Sequence, residues 1–179
     1  MTLSIAEPSS RTRLTDQDWQ VSNTTTTLPD RATLTGSPPG RRKLRFPFKG
    51  GEFVVEIPDD PPTWVEPTAQ SLGELLQLEP GWDSYGARPV DPYCAAAALH
   101  LAFNMLADST PAPSVVPTSR GGLQFEWHTR SADLEVEFLS ATRVLGLFED
   151  RVSGSGWEKD LTFEVQPLVD AISQLSQRR

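Results

Sequence analysis

The sequence predicts an α+β fold, in which an antiparallel sheet of three to four strands is packed on one face by about three helices. Two segments with helical spacing of apolar residues are followed by a series of short alternating segments. These alternating segments follow one another without helices between them, which is typical of α+β proteins. An N-terminal β-hairpin and a disordered N-terminal tail complete the predicted architecture.

The first 40 of the 179 residues are predicted to form a disordered tail. Ser, Thr, Pro, Asp and Gln dominate this segment, which has few apolar residues to bury. The whole chain contains 16 prolines and is 37% hydrophobic, which agrees with a part that lies outside the core. Residues 41–179 are therefore predicted to form a single α+β domain.

The domain is predicted to begin with a β-hairpin over residues 41–57. Leu44, Phe46 and Phe48 alternate with other residues, a second strand pattern follows, and the glycine pair between them is a turn signal. An isolated hairpin is marginally stable in water, so this one is expected to pack on the rest of the domain. The basic run at residues 41–45 is interpreted as a solvated strand face, and a nucleic-acid patch is the alternative.

Two helices are predicted over residues 67–108, joined by a loop at residues 81–90. Pro67 suits the first turn of the first helix, which runs to about residue 78. Asp91 and Pro92 are a capping residue and a first-turn proline for the second helix, which runs to about residue 107. Consecutive alanines and a wide apolar surface make this second helix the candidate for the centre of the core.

The antiparallel sheet is predicted within residues 114–163. Leu123, Phe125 and Trp127 alternate with polar residues, so their side chains are expected to face the core. The segment at residues 133–138 repeats this alternation, with its acidic residues on the outer side.

Three further segments complete the predicted domain. Residues 144–148 are apolar throughout, as in a central strand, and residues 157–163 supply a shorter fourth strand. Residues 165–176 have apolar side chains at helical spacing, which predicts a C-terminal helix.

The loop at residues 81–90 combines turn residues with side chains that are suited to binding. Asp83 is able to accept hydrogen bonds from nearby backbone N–H groups and so to hold the loop in one shape. Trp82 and Tyr85 each have an apolar body and a polar end, which suits a half-buried plug between helices and sheet. The structural interpretation is a loop that closes this junction. In the functional interpretation, four residues face a partner or a ligand: Trp82, Asp83, Tyr85 and Arg88.

The polar side of the predicted sheet contains a second group of candidate binding residues. They alternate with core-facing residues on two strands, so adjacent strands would gather their side chains: Glu126, His128, Glu135 and Glu137. Carboxylates gathered in this way bind a hard cation, or raise the pKa of one carboxyl group for acid–base work. The alternative is the solvated face of an ordinary antiparallel sheet, which produces the same alternation.

The composition disfavours several classes of function. The sequence has no glycine-rich phosphate loop, metalloprotease helix motif, paired-cysteine metal motif or nucleophile elbow. One cysteine and two histidines do not supply the usual zinc ligand sets, so no cofactor or metal is predicted. No apolar run is long enough to span a membrane, the N-terminus lacks a signal-peptide pattern, and a single cysteine fits a reducing compartment. A cytoplasmic protein is therefore predicted.

The charge is distributed unevenly along the chain. Residues 1–50 contain eight Lys and Arg against four Asp and Glu, whereas the whole chain has a net charge of −8, which leaves −12 for the remainder. Phosphate contact needs clustered Lys and Arg, so this acidic body argues against nucleic-acid binding by the folded domain. It is compatible with a basic partner.

Two motifs lie on either side of the second predicted helix. They are Gly-Trp-Asp-Ser-Tyr-Gly-Ala at residues 81–87, and Pro-Thr followed by Gly-Gly-Leu-Gln-Phe-Glu-Trp within residues 117–127. This pair, over about residues 72–140, resembles a family of small uncharacterised proteins from bacteria and their phages. The resemblance implies a bacterial, cytoplasmic origin. It supplies no catalytic residues, because no activity is established for that family.

The predicted function is contact with another protein, as an accessory, antitoxin-like, immunity-like or regulatory module without catalysis. An acidic body, a basic tail, a polar sheet face and the lack of a recognisable catalytic set favour this function over an enzyme. The partner is predicted to be encoded by a neighbouring gene, and the oligomeric state is left open. One alternative is a metal-dependent hydrolase that uses Glu126, Glu135 and Glu137 with Asp83. Another is a structural subunit of a phage or a multiprotein assembly.

Overall fold

The computed structural model describes residues 3–6 and 40–177, which form two antiparallel sheets and three helices, so the predicted α+β class is confirmed. The strands, in chain order, are β1 (Leu3–Ala6), β2 (Arg41–Phe48), β3 (Gly51–Pro58), β4 (Ser114–Pro117), β5 (Leu123–His128), β6 (Ala132–Ser140), β7 (Arg143–Asp150) and β8 (Ser155–Asp160). The helices are α1 (Val65–Leu75), α2 (Pro92–Met105) and α3 (Gln166–Gln177).

The predicted hairpin is confirmed as β2 and β3, which pair antiparallel around a two-residue turn at Lys49 and Gly50. Gly50 has a φ of 106°, a backbone conformation that side chains with a Cβ rarely adopt. On the inner face of the hairpin, the rings of Phe46 and Phe53 stack with their centroids 4.6 Å apart, and both side chains are buried. The hairpin therefore packs on the body of the domain, as expected.

β1 differs from the prediction of a disordered tail over residues 1–40. Leu3–Ala6 pairs antiparallel with β3, which places β3 at the centre of a three-stranded sheet in the order β1-β3-β2. The hairpin alone would leave the backbone groups along this edge of β3 unpaired, and a short extended segment satisfies them. Residues 7–39 of the predicted tail lie outside the described residues.

The large sheet has five strands in the order β4-β5-β6-β7-β8, each antiparallel to its neighbour, so the predicted number of three to four is too low. The additional strand, β4, has four residues and ends at Pro117. Its segment is predicted to open the sheet, but it is too short to be counted as a strand from alternation alone. β6, and not the apolar segment at residues 144–148, is the middle strand. Leu147 in that segment faces outward and is 38% exposed.

The last strand and the helices differ from the prediction at their ends. β8 occupies Ser155–Asp160 and leaves Phe163 fully exposed beyond it. α1 begins before Pro67, because the buried Trp64 takes the N-cap position, and α1 ends at Leu75.

The start of α2 agrees with the prediction. Asp91 is the N-cap residue, its Oδ1 accepts a hydrogen bond of 2.8 Å from the N–H of Tyr93, and Pro92 opens the helix.

The core lies between the helices and the inner face of the large sheet. α2 contacts β6, and its buried side chains are mostly small: Cys94, Ala95, Ala96, Ala98, Leu99 and Ala102. The alternation predicted for β5 is confirmed, because Leu123, Phe125 and Trp127 are all buried. One continuous cluster of apolar side chains joins the hairpin, the helices and the sheet. The helices cover one face of the sheet, and its outer face is polar.

Candidate functional site

The two sequence motifs meet in space. The first forms the central loop (residues 81–90) between α1 and α2, and the second includes the sheet turn (residues 118–122) that precedes β5. The N–H of Arg88 donates to the carbonyl of Ser119 at 3.0 Å, and the N–H of Asp91 donates to the carbonyl of Gly121 at 2.8 Å. Arg88 and Asp91 follow the first motif closely, so the chain that continues from this motif is hydrogen-bonded through its backbone to the turn within the second motif.

Asp83 holds the central loop in its shape. Its Oδ1 accepts hydrogen bonds from the N–H groups of Tyr85 and Ala87, at 2.8 and 2.9 Å. The bonds from Ala87 and Tyr85 also lower the pKa of the Asp83 carboxyl below its ordinary value, because they stabilise the carboxylate. Ser84, which lies between Asp83 and Tyr85 in the chain, adopts a φ of 66°. Asp83 therefore acts on its own loop, as the structural interpretation predicts.

The two aromatic residues of the loop do not form the expected plug. Tyr85 is 94% exposed, so its predicted half-buried position is wrong. Trp82 is half-buried, and its indole Nε1–H donates to the carbonyl of Arg88 at 3.1 Å. Ala87 and Val90 are the buried residues of the loop, because the turn held by Asp83 directs the smaller side chains inward. The Arg88 side chain is exposed.

We expect Asp83→Ala to lower the melting temperature, because two backbone N–H groups lose their acceptor. Asp83→Asn keeps a side-chain carbonyl oxygen and is expected to recover most of the loss. Since the pKa of Asp83 is lowered, its stabilisation is present above the ordinary pKa and weakens as pH falls through the lowered value. Scanning calorimetry of the three proteins at neutral and acidic pH measures both effects.

Gly86→Ala is the companion variant for this loop. Gly86 has a φ of 92°, so an alanine there is strained whether or not the loop binds anything. An Asp83→Ala protein with an unchanged melting temperature that no longer binds a partner would contradict the structural role and make Asp83 a binding residue.

The second group of candidates lies together on the outer sheet face, defined as the outward side chains of β5 to β8. Glu126 on β5 is directly opposite Glu135 on β6, and Gln124 is opposite Glu137. The adjacency on which the prediction depended is therefore present, and Glu126, His128, Glu135 and Glu137 share one surface. The nearest side-chain contact of Glu135 is with Gln124, whose Nε2–H donates to it at 2.7 Å.

His128 bridges two carboxylates on this face. Its Nδ1 lies 2.9 Å from Oδ1 of Asp133, and its Nε2 lies 3.2 Å from Oε2 of Glu126. Both ring nitrogens donate only in the imidazolium form, so this geometry favours the protonated ring. Asp133 and then Glu126 raise the pKa of His128 above its ordinary 6.5.

Asp133 and Arg151 extend this cluster, and no local pattern in the sequence predicts their pairing. Asp133 was predicted to lie outward and does so, but it is only 8% exposed. Arg151, eighteen positions away, donates from Nε to Oδ2 of Asp133 at 2.6 Å. Burial raises the pKa of Asp133, but the hydrogen bonds from His128 and Arg151 outweigh it and hold the pKa below the ordinary 3.8.

We expect the stabilisation by His128 to depend on pH. Because its folded pKa is raised, the contribution is full below the ordinary 6.5 and is lost as pH rises through the raised value. His128 is half exposed, so the loss on His128→Gln is at most about 1 kcal/mol at pH 5.5 and close to zero at pH 9. Urea denaturation of both proteins at the two pH values checks this. An equal difference at both would contradict a role for the charged ring.

Three properties of the described part of the chain concern metal ligation, the single cysteine and the length of the helices. Within residues 3–6 and 40–177, no group of three or more His, Cys, Asp or Glu side chains is placed to hold a metal ion. Cys94 is buried, and burial, with a contribution from Asp91, raises the pKa of its thiol to about 11, which disfavours the reactive thiolate. None of the three helices described has the length and apolar character of a bilayer span.

The fold and the two candidate surfaces define an α+β domain with an acidic sheet face, which no helix within residues 3–6 and 40–177 covers. Comparison with protein-family models, with curated proteins and with solved structures finds no match. The resemblance to small bacterial and phage proteins therefore stays a prediction, which depends on the two motifs at residues 81–87 and 117–127.

Proposed function

We propose that the protein is a cytoplasmic accessory module that binds another protein through its outer sheet face and acts by contact, without catalysis. The observation that carries this proposal is the concentration of carboxylates on four adjacent strands. Register places the following acidic residues on that face: Glu126, Asp133, Glu135, Glu137, Glu149, Glu158 and Asp160. A basic surface on the partner is the complement of such a face.

The acidic arrangement is unfavourable for the isolated protein. Glu126 and Glu135 are directly opposite each other on neighbouring strands, where like charges are destabilising. The basic residues that pair with this face are few: Arg120 lies 3.7 Å from Glu137, Arg143 lies 3.8 Å from Asp160, and His128 and Arg151 contact Asp133. The contacts of Glu126 with His128 and of Glu135 with Gln124 offset this repulsion only in part. An arrangement that lowers stability in this way is typical of a binding surface, where stability is traded for function.

The centre of the face offers both charge and apolar contact. Leu145 and Leu147 lie between the acidic residues of β6 and β8, and with Glu135, Glu137 and Glu158 they border a depression of about 120 Å³. Lys and Arg side chains bury an aliphatic stem while their charged ends stay polar. The depression therefore suits the stem of one basic side chain, with carboxylates around its charged end.

The test uses the product of a neighbouring gene as the partner, with calorimetric titration of the purified proteins. Replacing Glu126, Glu135 and Glu137 with glutamine is expected to weaken binding about tenfold or more, since each lost charge pair contributes about 0.2–1 kcal/mol and central positions contribute more. A matched control carries the same change in net charge away from the face: Asp59→Asn, Asp60→Asn and Asp108→Asn. Binding should also weaken with salt.

Equal loss of binding in both triple variants would indicate a non-specific charge effect and contradict the proposed surface. A partner that binds only as part of a large assembly, with no binary complex, would favour the structural-subunit alternative.

A metal titration separates this function from a metal-dependent hydrolase. We expect Mg²⁺, Ca²⁺, Mn²⁺ and Zn²⁺ to show no tight saturable binding by calorimetry, because the carboxylates of the face are spread along strands and do not converge on one point. Saturable binding that Glu126→Gln and Glu135→Gln abolish would overturn the proposal in favour of the hydrolase.

A further inference from the structure

A groove of about 500 Å³ separates β2 from α1, on the opposite sheet from the acidic face. Residues of both elements line it, including one basic and one acidic residue: Leu44, Arg45, Phe46, Glu66, Ala69 and Gly73. β2 is an edge strand of the three-stranded sheet, so its outer side is paired with no other described strand. The groove thus lies between a strand edge and a helix.

The backbone of β2 presents hydrogen-bonding groups to this groove. Phe48 and Gly51 close the two-residue hairpin and so form a hydrogen-bonded pair, after which hydrogen-bonded and non-hydrogen-bonded pairs alternate along the ladder. Arg45 and Lys43 fall at non-hydrogen-bonded positions, and their N–H and C=O groups point away from β3. Within residues 3–6 and 40–177, neither residue's backbone has a hydrogen-bond partner on that side. A strand is the natural complement of such an edge.

Both ends of the groove are fixed. An ion pair between Arg42 and Glu66 joins β2 to the first turn of α1. At the other end, Nε2–H of Gln77 donates to the carbonyl of Pro47 at 2.7 Å. Pro47 has no N–H, so pairing along this edge stops before it. The free stretch therefore runs from Lys43 to Arg45, and the backbone groups of these two residues are available to a short extended segment.

The charge of the strand selects the occupant. Arg41, Lys43 and Arg45 alternate along β2 and are exposed. On the β3 side, Lys43 lies 3.6 Å from Glu56 and Arg45 lies 2.7 Å from Glu52, so an added strand would place every second side chain on the other side of these basic residues. Acidic residues at those positions are favourable. A second copy of β2 would oppose basic residues to each other, which disfavours a dimer formed through this edge.

The other side of an added strand would face the groove itself. Leu44 and Ala69 supply apolar surface there. A Cβ added at Gly73 would meet no atom within 4 Å, so the helix leaves open space at this point. Small or medium apolar side chains suit these inward positions.

We propose that this groove binds an extended peptide of a partner protein, in which acidic and apolar residues alternate, as an added strand on β2. This mode of recognition obtains affinity from main-chain hydrogen bonds and selectivity from alternate side chains. The site is independent of the proposed function, because it lies on the other sheet and its charge is of the opposite sign.

The test measures fluorescence anisotropy of two labelled synthetic octapeptides, Glu-Val repeats and Lys-Val repeats, with the full chain. The Glu-Val peptide is expected to bind saturably, and the Lys-Val peptide at least about tenfold more weakly. Hydrogen exchange should slow at the amides of Lys43 and Arg45 when the Glu-Val peptide binds. The amide of Leu44 already pairs with β3 and should not change.

Variants at two positions test the placement. Gly73→Leu fills the open space with a good helix former and is expected to abolish binding without unfolding the protein. Gly73→Ala is its matched control and should retain binding. Lys43→Glu should weaken the binding of the Glu-Val peptide about tenfold.

Three results would overturn the proposal. They are equal binding of the two peptides, binding that is unaffected by Gly73→Leu, and binding that leaves the Lys43 and Arg45 amides unprotected. If the titration of the outer sheet face variants fails, the peptide measurements are unaffected. The two proposals can therefore be tested independently.

Discussion

Trp127→Ala is expected to lower the free energy of unfolding by about 3–5 kcal/mol, the range for removing a large buried aromatic side chain. Trp127 is 4% exposed, and its ring meets Phe125 edge-on with centroids 6.2 Å apart. Its Nε1–H donates to the carbonyl of Pro111 at 2.8 Å, so the alanine variant also loses the partner of that carbonyl. A loss of this size is a large part of the stability of an ordinary domain.

Trp127→Phe separates the two contributions. The phenylalanine keeps most of the apolar contact and removes the hydrogen bond. The free energy of unfolding of this variant is therefore expected to fall by about 1–2 kcal/mol, well below the loss for alanine. Urea denaturation with tryptophan-independent circular dichroism measures both variants. An alanine variant with an unchanged midpoint would mean that Trp127 faces solvent and that the register of β5 is wrong.

Gly122→Ala is expected to destabilise the protein by about 3 kcal/mol, at the upper end of the usual range for inserting a carbon into a packed site. A Cβ at Gly122 would lie 2.3 Å from the carbonyl oxygen of Phe138 and 3.0 Å from Oγ1 of Thr118. The closest atom belongs to the backbone of β6, so no side-chain rotation relieves the contact. The sheet turn and the first residues of β5 would have to move away from β6.

Gly73→Ala is the matched control for this substitution. Gly73 lies within α1, and an added Cβ meets nothing within 4 Å. Alanine is the better helix former, so this variant is expected to be more stable by about 0.5–1 kcal/mol. Equal effects of the two substitutions, measured by urea denaturation, would contradict the close approach of the sheet turn to β6.

Elements with a clear period could be predicted from the sequence. The alternation of Leu123, Phe125 and Trp127 defines β5 and its buried face, and the pair Asp91-Pro92 defines the start of α2. The segment of β4 is predicted to lie at the start of the sheet, but it is not counted as a strand because four residues contain too few repeats of a two-residue period. β1 has the same length and lies in the segment predicted to be disordered, so it could not be predicted at all.

The candidate site could be predicted only in part. Alternation along β5 and β6 is enough to place Glu126 and Glu135 on one face, because the period of a strand is fixed. The pairing of Asp133 with Arg151 depends on how β6 and the turn after β7 meet, which no local pattern encodes. The exposure of Tyr85 depends on the loop's φ angles, and an amphipathic ring is compatible with either environment.

The hydrogen bond from the N–H of Asp91 to the carbonyl of Gly121 has a consequence for the order of folding. Asp91 caps α2 and is itself hydrogen-bonded to a turn thirty positions later. The start of this helix is therefore held in place by a contact between segments that are distant in sequence. The strand pairs from β5 to β8 join neighbours in sequence and have short loops to close. The sheet formed by β5 to β8 is therefore expected to form before the central loop docks on it. In native-state hydrogen exchange, the first turn of α2 and the central loop should then open together, at a lower free energy than the middle of the sheet.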